Sequence, residues 1–81
     1  MPSLERMKAL YDIMKDDDAM VFPEIAIRVR KLPDFETYAD THIRRILNSL
    51  RFLGLVEKVS VDRRGKHNKR ILVGWKKRHL M

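Results

Sequence analysis

The sequence contains no cysteine among its 81 residues. This excludes disulfide bonds, thiolate metal sites and cysteine nucleophiles together. It also has no apolar run near the roughly 20 residues needed to cross a bilayer. The apolar segment of a secretory signal peptide is missing as well. These absences predict a protein of the cytoplasm.

The motifs of common enzymes and metal sites are also missing. There is no glycine-rich phosphate loop, no His-Glu-x-x-His and no Gly-x-Ser-x-Gly, and neither Ser49 nor Ser60 has an evident base partner. The three histidines lie far apart, which disfavours a zinc site. The run Asp16 to Asp18 lacks the alternating ligands of a calcium loop and is typical of a solvated loop. We therefore predict neither an enzyme nor a bound metal or cofactor.

The composition is that of a small globular protein. Hydrophobic residues make up 44% of the chain, and they recur in periodic groups. A domain of this size buries only about 60 to 65% of the surface that its unfolded chain exposes. We expect a single domain over residues 1–81, with a core over 4–76 and a tail over 77–81.

The charges are distributed unevenly along the chain. Residues 1–40 carry six lysines and arginines against nine acidic residues, a net charge of −3. Residues 41–81 carry twelve against two, a net charge of +10. Basic charge concentrated in this way favours a polyanionic partner, because neutralised phosphates release their counterions. The alternative is a basic surface that serves solubility.

The stretch TYADTHIRRILNSLRFLGL predicts one helix over residues 37–53 with two unlike faces. At about 100° per residue, one side collects apolar side chains, and the other collects hydrogen-bond donors and positive charge. The apolar side holds Ala39, Ile43, Ile46, Leu47, Leu50 and Leu53. The polar side holds Thr37, Tyr38, Thr41, Arg44, Arg45 and Asn48, with His42 on its flank. The first side predicts core packing, and the second predicts contact with a partner.

Local signals mark both ends of this helix. Thr37 and Asp40 resemble a capping box with a shortened acid, and the rival is Asp40 capping a shorter helix. Gly54 can take the left-handed conformation that closes a helix. Phe52 points away from the apolar stripe, which indicates that another element or a second subunit covers it.

Two shorter helices and a short strand are predicted before residue 37. Ser3 can cap a first helix ending near Lys15, with Leu4, Met7, Leu10, Tyr11, Ile13 and Met14 on its apolar side. Residues 19–22 can form a short strand, and Pro23 suits the first turn of a second helix. That helix is predicted to bury Ile25, Ala26 and Val29 between Phe22 and Leu32, and to expose Glu24, Arg28, Arg30 and Lys31. Pro33 ends it, and residues 33–36 form a connector.

The segment after Gly54 alternates with a period of two, which predicts a β-hairpin. Leu55, Val59 and Val61 alternate in the first strand, and Ile71, Val73 and Trp75 alternate in the second. An isolated hairpin is marginal in water, so we expect this one to pack on the helices through its Val/Ile/Trp face. The loop DRRGKHNK, residues 62–69, is strongly basic.

These elements predict an α+β fold with three helices, a short strand and a hairpin. Two helices joined by a short turn form a helix-turn-helix, whose second helix enters a groove of DNA. The segment IRRILNSLRFLGLVEKV resembles the passage from recognition helix to wing in winged-helix transcription regulators of the MarR and PadR kind. The resemblance covers roughly residues 4–76. This chain lacks the additional dimerisation helices of those regulators, and it is similar in size to minimal archaeal or viral ones.

The resemblance implies a nucleoid-associated, sequence-specific regulator that binds double-stranded DNA, and we expect a homodimer. It implies that the polar side of the recognition helix and His42 lie at a major groove. The wing residues Arg63, Arg64, Lys66, His67, Asn68, Lys69 and Arg70 would follow a minor groove or the phosphates. No small-molecule ligand is implied. The alternative is a winged-helix module that binds RNA, as in some ribosomal proteins, or protein in a larger assembly.

Overall fold

The computed structural model of the chain describes residues 2–64 and 69–78. This part folds into three helices and a three-stranded antiparallel sheet, which confirms the α+β class. In chain order the elements are α1 (Leu4–Ile13), β1 (Met20–Val21), α2 (Phe22–Val29), α3 (Asp40–Phe52), β2 (Val56–Arg64) and β3 (Lys69–Lys77). The strands lie in the order β1-β3-β2.

Helix α1 begins as predicted and ends two residues early. The Ser3 side chain accepts a hydrogen bond from the Arg6 backbone at 3.3 Å, which caps the first turn. Met14 is already extended, so the helix stops at Ile13 and does not reach residue 15. Leu4, predicted to belong to the apolar side, is 77% exposed. A helical side chain covers the turn before its own Cα, and at the first helical residue no such turn exists.

Helix α2 starts from an extended Val21 with a proline in its first turn, and it ends at Val29, three residues before the predicted end. Lys31 and Leu32 donate to carbonyls three residues back, so the chain leaves the helix through a tight turn. The predicted exposure of Glu24, Arg28 and Arg30 is wrong, since all three are half-buried. Arg28 donates to the carbonyl of Ile13 at 3.1 Å and thereby ties α2 to the end of α1.

Helix α3 keeps the predicted core face but starts three residues later than predicted. Ala39 is the N-cap and makes no side-chain capping bond, so both predicted caps are wrong. The carboxylate of Asp40 instead accepts a hydrogen bond from Arg30 at 2.6 Å. The chain between the helices is therefore ten residues long, from 30 to 39, and it buries Phe35. Ala39 and Leu53, the two caps, are exposed and do not join the core.

Gly54 turns the chain from α3 into the hairpin, as predicted, with a φ of +79°. The strands pair from Val56 opposite Lys77 to Arg64 opposite Lys69, so they extend into the predicted loop from both sides. Directly paired residues share a face, and Val59 pairs with Gly74, the neighbour of Trp75. The single Val/Ile/Trp face is therefore wrong, because Val59 lies on the opposite side of the sheet from Trp75.

The core lies between the three helices and one face of the sheet. Its fully buried side chains come from the three helices and from β1 and β2: Leu10, Met20, Ile25, Val29, Ile43, Leu47, Leu50 and Val56. Trp75 is 5% exposed and closes the core from β3, whereas Val73, two residues earlier on the same face, is 60% exposed. The packing holds α3 by its apolar stripe and leaves its opposite face outside.

Candidate nucleic-acid interface

The outer face of α3 carries a group of exposed polar side chains, which we call the α3 face. Its members are Thr41, Arg44, Arg45 and Asn48, and all four are exposed. They line one hollow together with Ser49 and Phe52. The Ser49 hydroxyl donates to the carbonyl of Arg45 at 2.9 Å and is thus engaged within the helix. Among the described residues, no hydrogen bond involves the side chains of Thr41, Arg45 or Asn48, so their donors remain available.

A groove between α3 and the hairpin continues the α3 face onto the sheet. It has a volume of about 240 Å³ and is lined by Phe22, Arg44, Asn48, Lys58, Val73 and Trp75. The guanidinium of Arg44 lies 4.4 Å from the centre of the Phe22 ring, and the ammonium of Lys58 lies 5.1 Å from that of Trp75. Each cation packs against an aromatic face and keeps an exposed side. Lys58 was not predicted, because only the strand register places it opposite Trp75.

Two residues predicted for the recognition helix lie outside it. Thr37 is exposed in the connector before α3. Tyr38 is half-buried, and its ring packs 4.7 Å from that of Phe35 and 5.7 Å from that of His42. The helix starts at Asp40, so the angular pattern of α3 does not extend back to these positions. Tyr38 therefore supports the connector from within and is withdrawn from the α3 face.

A second hollow, of about 300 Å³, lies on the α1 side of α3. Pro2, Arg6, Tyr38, His42, Arg45 and Ile46 line it. The guanidinium of Arg6 lies 5.5 Å from the centre of the Tyr38 ring. His42 is exposed on the flank, as predicted, and Arg6 is a cation that the sequence pattern did not single out. The positive charge of the α3 face thus continues toward the start of α1.

The predicted wing is described only in part. The backbone register places Arg63 opposite Arg70 and Arg64 opposite Lys69 at the end of the hairpin. The side chains of these four residues lie outside the described part of the chain. Lys66, His67 and Asn68 also lie outside the described residues. The backbone pairing of β2 with β3 therefore continues beyond Asp62 through four basic positions.

The acidic run after α1 takes part in local contacts. Asp16 accepts from the ammonium of Lys77 at 2.9 Å, and Asp18 accepts from the backbone of Ala19 at 2.9 Å. In residues 2–64 and 69–78, no group of three or more histidine or acidic side chains is arranged to hold a metal ion. Asp16 and Asp18 thus have structural partners in the loop and at the end of β3.

Two further findings bear on the class of protein. The longest helix of the described ranges has 13 residues, and none there is long and apolar enough to span a bilayer. Comparison with protein-family models, with curated proteins and with solved structures gave no match.

Proposed function

We propose that this chain is a winged helix-turn-helix regulator of transcription that binds double-stranded DNA with sequence specificity. The observation that carries the proposal is the α3 face. Its hydrogen-bond donors are exposed on the side of α3 opposite a stripe that is buried without interruption. In that position, a side chain such as Asn48 does not contribute to the core, whereas it can reach the edges of bases in a groove of DNA.

The order of the elements supports the winged-helix interpretation. Helices α2 and α3 would form the helix-turn-helix, and β2 and β3 would form the wing. The connector of ten residues is longer than the usual turn of 3–4 residues. Arg30 compensates for this length, because it donates to the carbonyl of Tyr38 at 3.1 Å and pairs with Asp40 at 2.6 Å. It thereby fixes the start of α3 against the end of α2.

The chemistry of the α3 face fits a major groove. Arginine reads guanine through O6 and N7, and asparagine reads adenine through N6 and N7, each worth about 1–3 kcal/mol of discrimination. Arg45 and Asn48 supply these groups. A-form RNA has a major groove too narrow for such a helix, which favours duplex DNA.

The hairpin supplies the charge for phosphate contacts. The backbone register brings four basic positions to this end of the hairpin, with Arg63 opposite Arg70 and Arg64 opposite Lys69. Basic residues that neutralise phosphates release counterions, which favours binding to DNA. Such contacts position a protein on DNA without reading its sequence.

A module that binds RNA or protein in a larger assembly is the alternative. Ile27, Leu53 and Val73 are large apolar side chains that are each at least 48% exposed, which favours a protein partner. They lie on α2, just after α3 and on β3, whereas the polar donors share one helix face. The concentration of donors and positive charge on α3 and the hairpin favours nucleic acid.

The deciding experiment is a selection of randomised duplex DNA by the purified protein. It is done at about 150 mM salt, where the Kd of non-specific binding is roughly 10⁻⁴ to 10⁻⁶ M. We also propose that the chain binds DNA as a homodimer, and we therefore expect an enriched motif with two-fold symmetry. Binding that is tight only at low salt, without any enriched motif, would contradict sequence reading and favour the RNA or assembly role. Light scattering with and without the selected duplex tests the dimer separately.

A further inference from the structure

Phe52 is an exposed aromatic side chain at the end of α3, beside the polar side chains of the α3 face. It is 82% exposed, and it lines the same hollow as Thr41, Arg45 and Asn48. At about 100° per residue, these four positions of α3 fall within an arc of about 60°. Phe52 therefore lies in line with the side chains proposed to read bases, one turn beyond Asn48. The sequence predicts that another element or a second subunit covers this ring, and no described element does so.

We infer that Phe52 is a specificity residue that contacts the C5-methyl group of a thymine in the major groove. The inference rests on the proposed function. Among the base edges of the major groove, the thymine methyl is the apolar group, and phenylalanine is one of the side chains that contact it. Exposure of the Phe52 ring to water is unfavourable. Contact with the thymine methyl group would remove part of the ring from water when the complex forms.

The charges around Phe52 favour DNA over a second copy of the chain. Arg44 and Arg51 lie on one side of the ring around the helix, and Arg45 lies on the other. Among the described residues, none of the three takes part in a salt bridge. Two copies that met face to face at Phe52 would bring these cations together, whereas phosphates on both sides of a major groove would neutralise them.

Helix geometry predicts where the thymine lies. Four residues along a helix advance about 6 Å, and stacked bases in one strand are about 3.4 Å apart. A helix that lies along the groove would therefore place Phe52 about two base pairs from the base contacted by Asn48. The contact would add one position to the motif that Arg45 and Asn48 read.

The test uses the duplex enriched by the selection, with each thymine replaced in turn by deoxyuridine, which lacks only the methyl group. We expect one position per half-site at which this change weakens binding of the wild type about four-fold, the value of one buried methyl group. Phe52→Ala should bind the thymine and deoxyuridine duplexes equally there. Ile27→Ala removes an exposed apolar side chain of α2 and should discriminate as the wild type does. Fluorescence anisotropy gives the Kd values, and circular dichroism checks that each variant is folded.

Three results would overturn the inference. The wild type could tolerate deoxyuridine everywhere, or Phe52→Ala could keep the full preference for thymine. Phe52→Ala could instead halve the mass of the free protein and leave the preference intact, which would make the ring a subunit contact. These results leave an enriched motif, and hence the proposed function, in place. A selection that enriches no motif would overturn the proposed function and this inference together.

Discussion

The hydroxyl group of Tyr38 is buried, and no described residue forms a hydrogen bond with it. A buried polar group without a partner costs about 1–3 kcal/mol in desolvation. Tyr38→Phe removes the hydroxyl and keeps the ring contacts with Phe35 and His42. We therefore expect this substitution to raise the free energy of unfolding by about 1–3 kcal/mol. Urea denaturation followed by circular dichroism measures the change.

Tyr11→Phe is the matched control. Tyr11 is half-buried, and its ring lies 4.5 Å below the ammonium of Lys77, a contact that the phenylalanine ring retains. We expect a change within about 0.5 kcal/mol for this variant. If Tyr38→Phe lowers the stability while Tyr11→Phe does not, the hydroxyl of Tyr38 has a partner in the folded protein, and the desolvation argument is wrong.

Tyr38 and Arg30 also show what a local pattern cannot reveal about single residues. Both were predicted to face outward, because each occupies a polar position of a helical pattern. Arg30 instead spans the connector to Tyr38 and Asp40, eight and ten residues away in sequence. Phe35 is buried without belonging to any periodic group. Such roles depend on the path of the connector, which periodicity does not describe.

The turn from α3 into β2 depends on the backbone of Gly54. Its φ of +79° lies in the left-handed region, while the nearest atom to an added Cβ is 3.7 Å away on Arg78. A side chain at position 54 therefore has enough space, and a substitution is unfavourable because of the left-handed backbone conformation. We expect Gly54→Ala to lower the free energy of unfolding by about 1–2 kcal/mol, the cost of left-handed backbone for an L residue. Urea denaturation again gives the value.

Gly54→Asn distinguishes this cause from a general loss of packing. Asparagine visits the left-handed region more readily than alanine, although its side chain is larger. We expect a smaller loss for asparagine than for alanine. Equal losses, or a larger loss for asparagine, would indicate that space and not backbone conformation limits the residue at position 54.

Among the elements, those with strong periodicity could be predicted from sequence. The buried positions Ile43, Ile46, Leu47 and Leu50 follow directly from the 3.6-residue period, and Gly54 marks the end of the helix. The start of α3 could not be predicted, because the carboxylate of Asp40, which resembles a capping group in the sequence, pairs with Arg30 instead. The faces of the hairpin depend on strand register, and two alternating segments do not contain that information.

At the scale of the whole molecule, the salt bridges do not neutralise the positive charge of the α3 face. Lys15 pairs with Glu24 at 3.1 Å, and Arg30 and Lys77 pair with acids as described above. In these pairs, acidic residues of the first half contact cations that lie outside the α3 face. In the described part of the chain, Arg44 and Arg45 have no acidic partner. Arg44 and Arg45 therefore keep their positive charge at the face proposed to meet DNA.

This separation of charges predicts two classes of variants in DNA binding. Arg45→Ala and Asn48→Ala remove groups proposed to read bases, so each should reduce the preference for the selected duplex over random DNA by about 1–3 kcal/mol. Lys66→Ala and Lys69→Ala remove loop charges proposed to contact phosphates. They should weaken binding to both duplexes alike and reduce the slope of log K against log salt by about 1. Anisotropy titrations from about 50 to 200 mM salt measure both quantities.

The two readouts make the division of roles testable, because a general loss of structure would change both together. Arg28→Ala serves as the control for such a loss, since Arg28 bonds to the carbonyl of Ile13 and does not line the hollow of the α3 face. If Arg45→Ala weakens specific and random DNA equally, its guanidinium contacts phosphate and reads no base. If Lys66→Ala changes the preferred sequence, the loop reads bases itself, and α3 is not the only source of specificity.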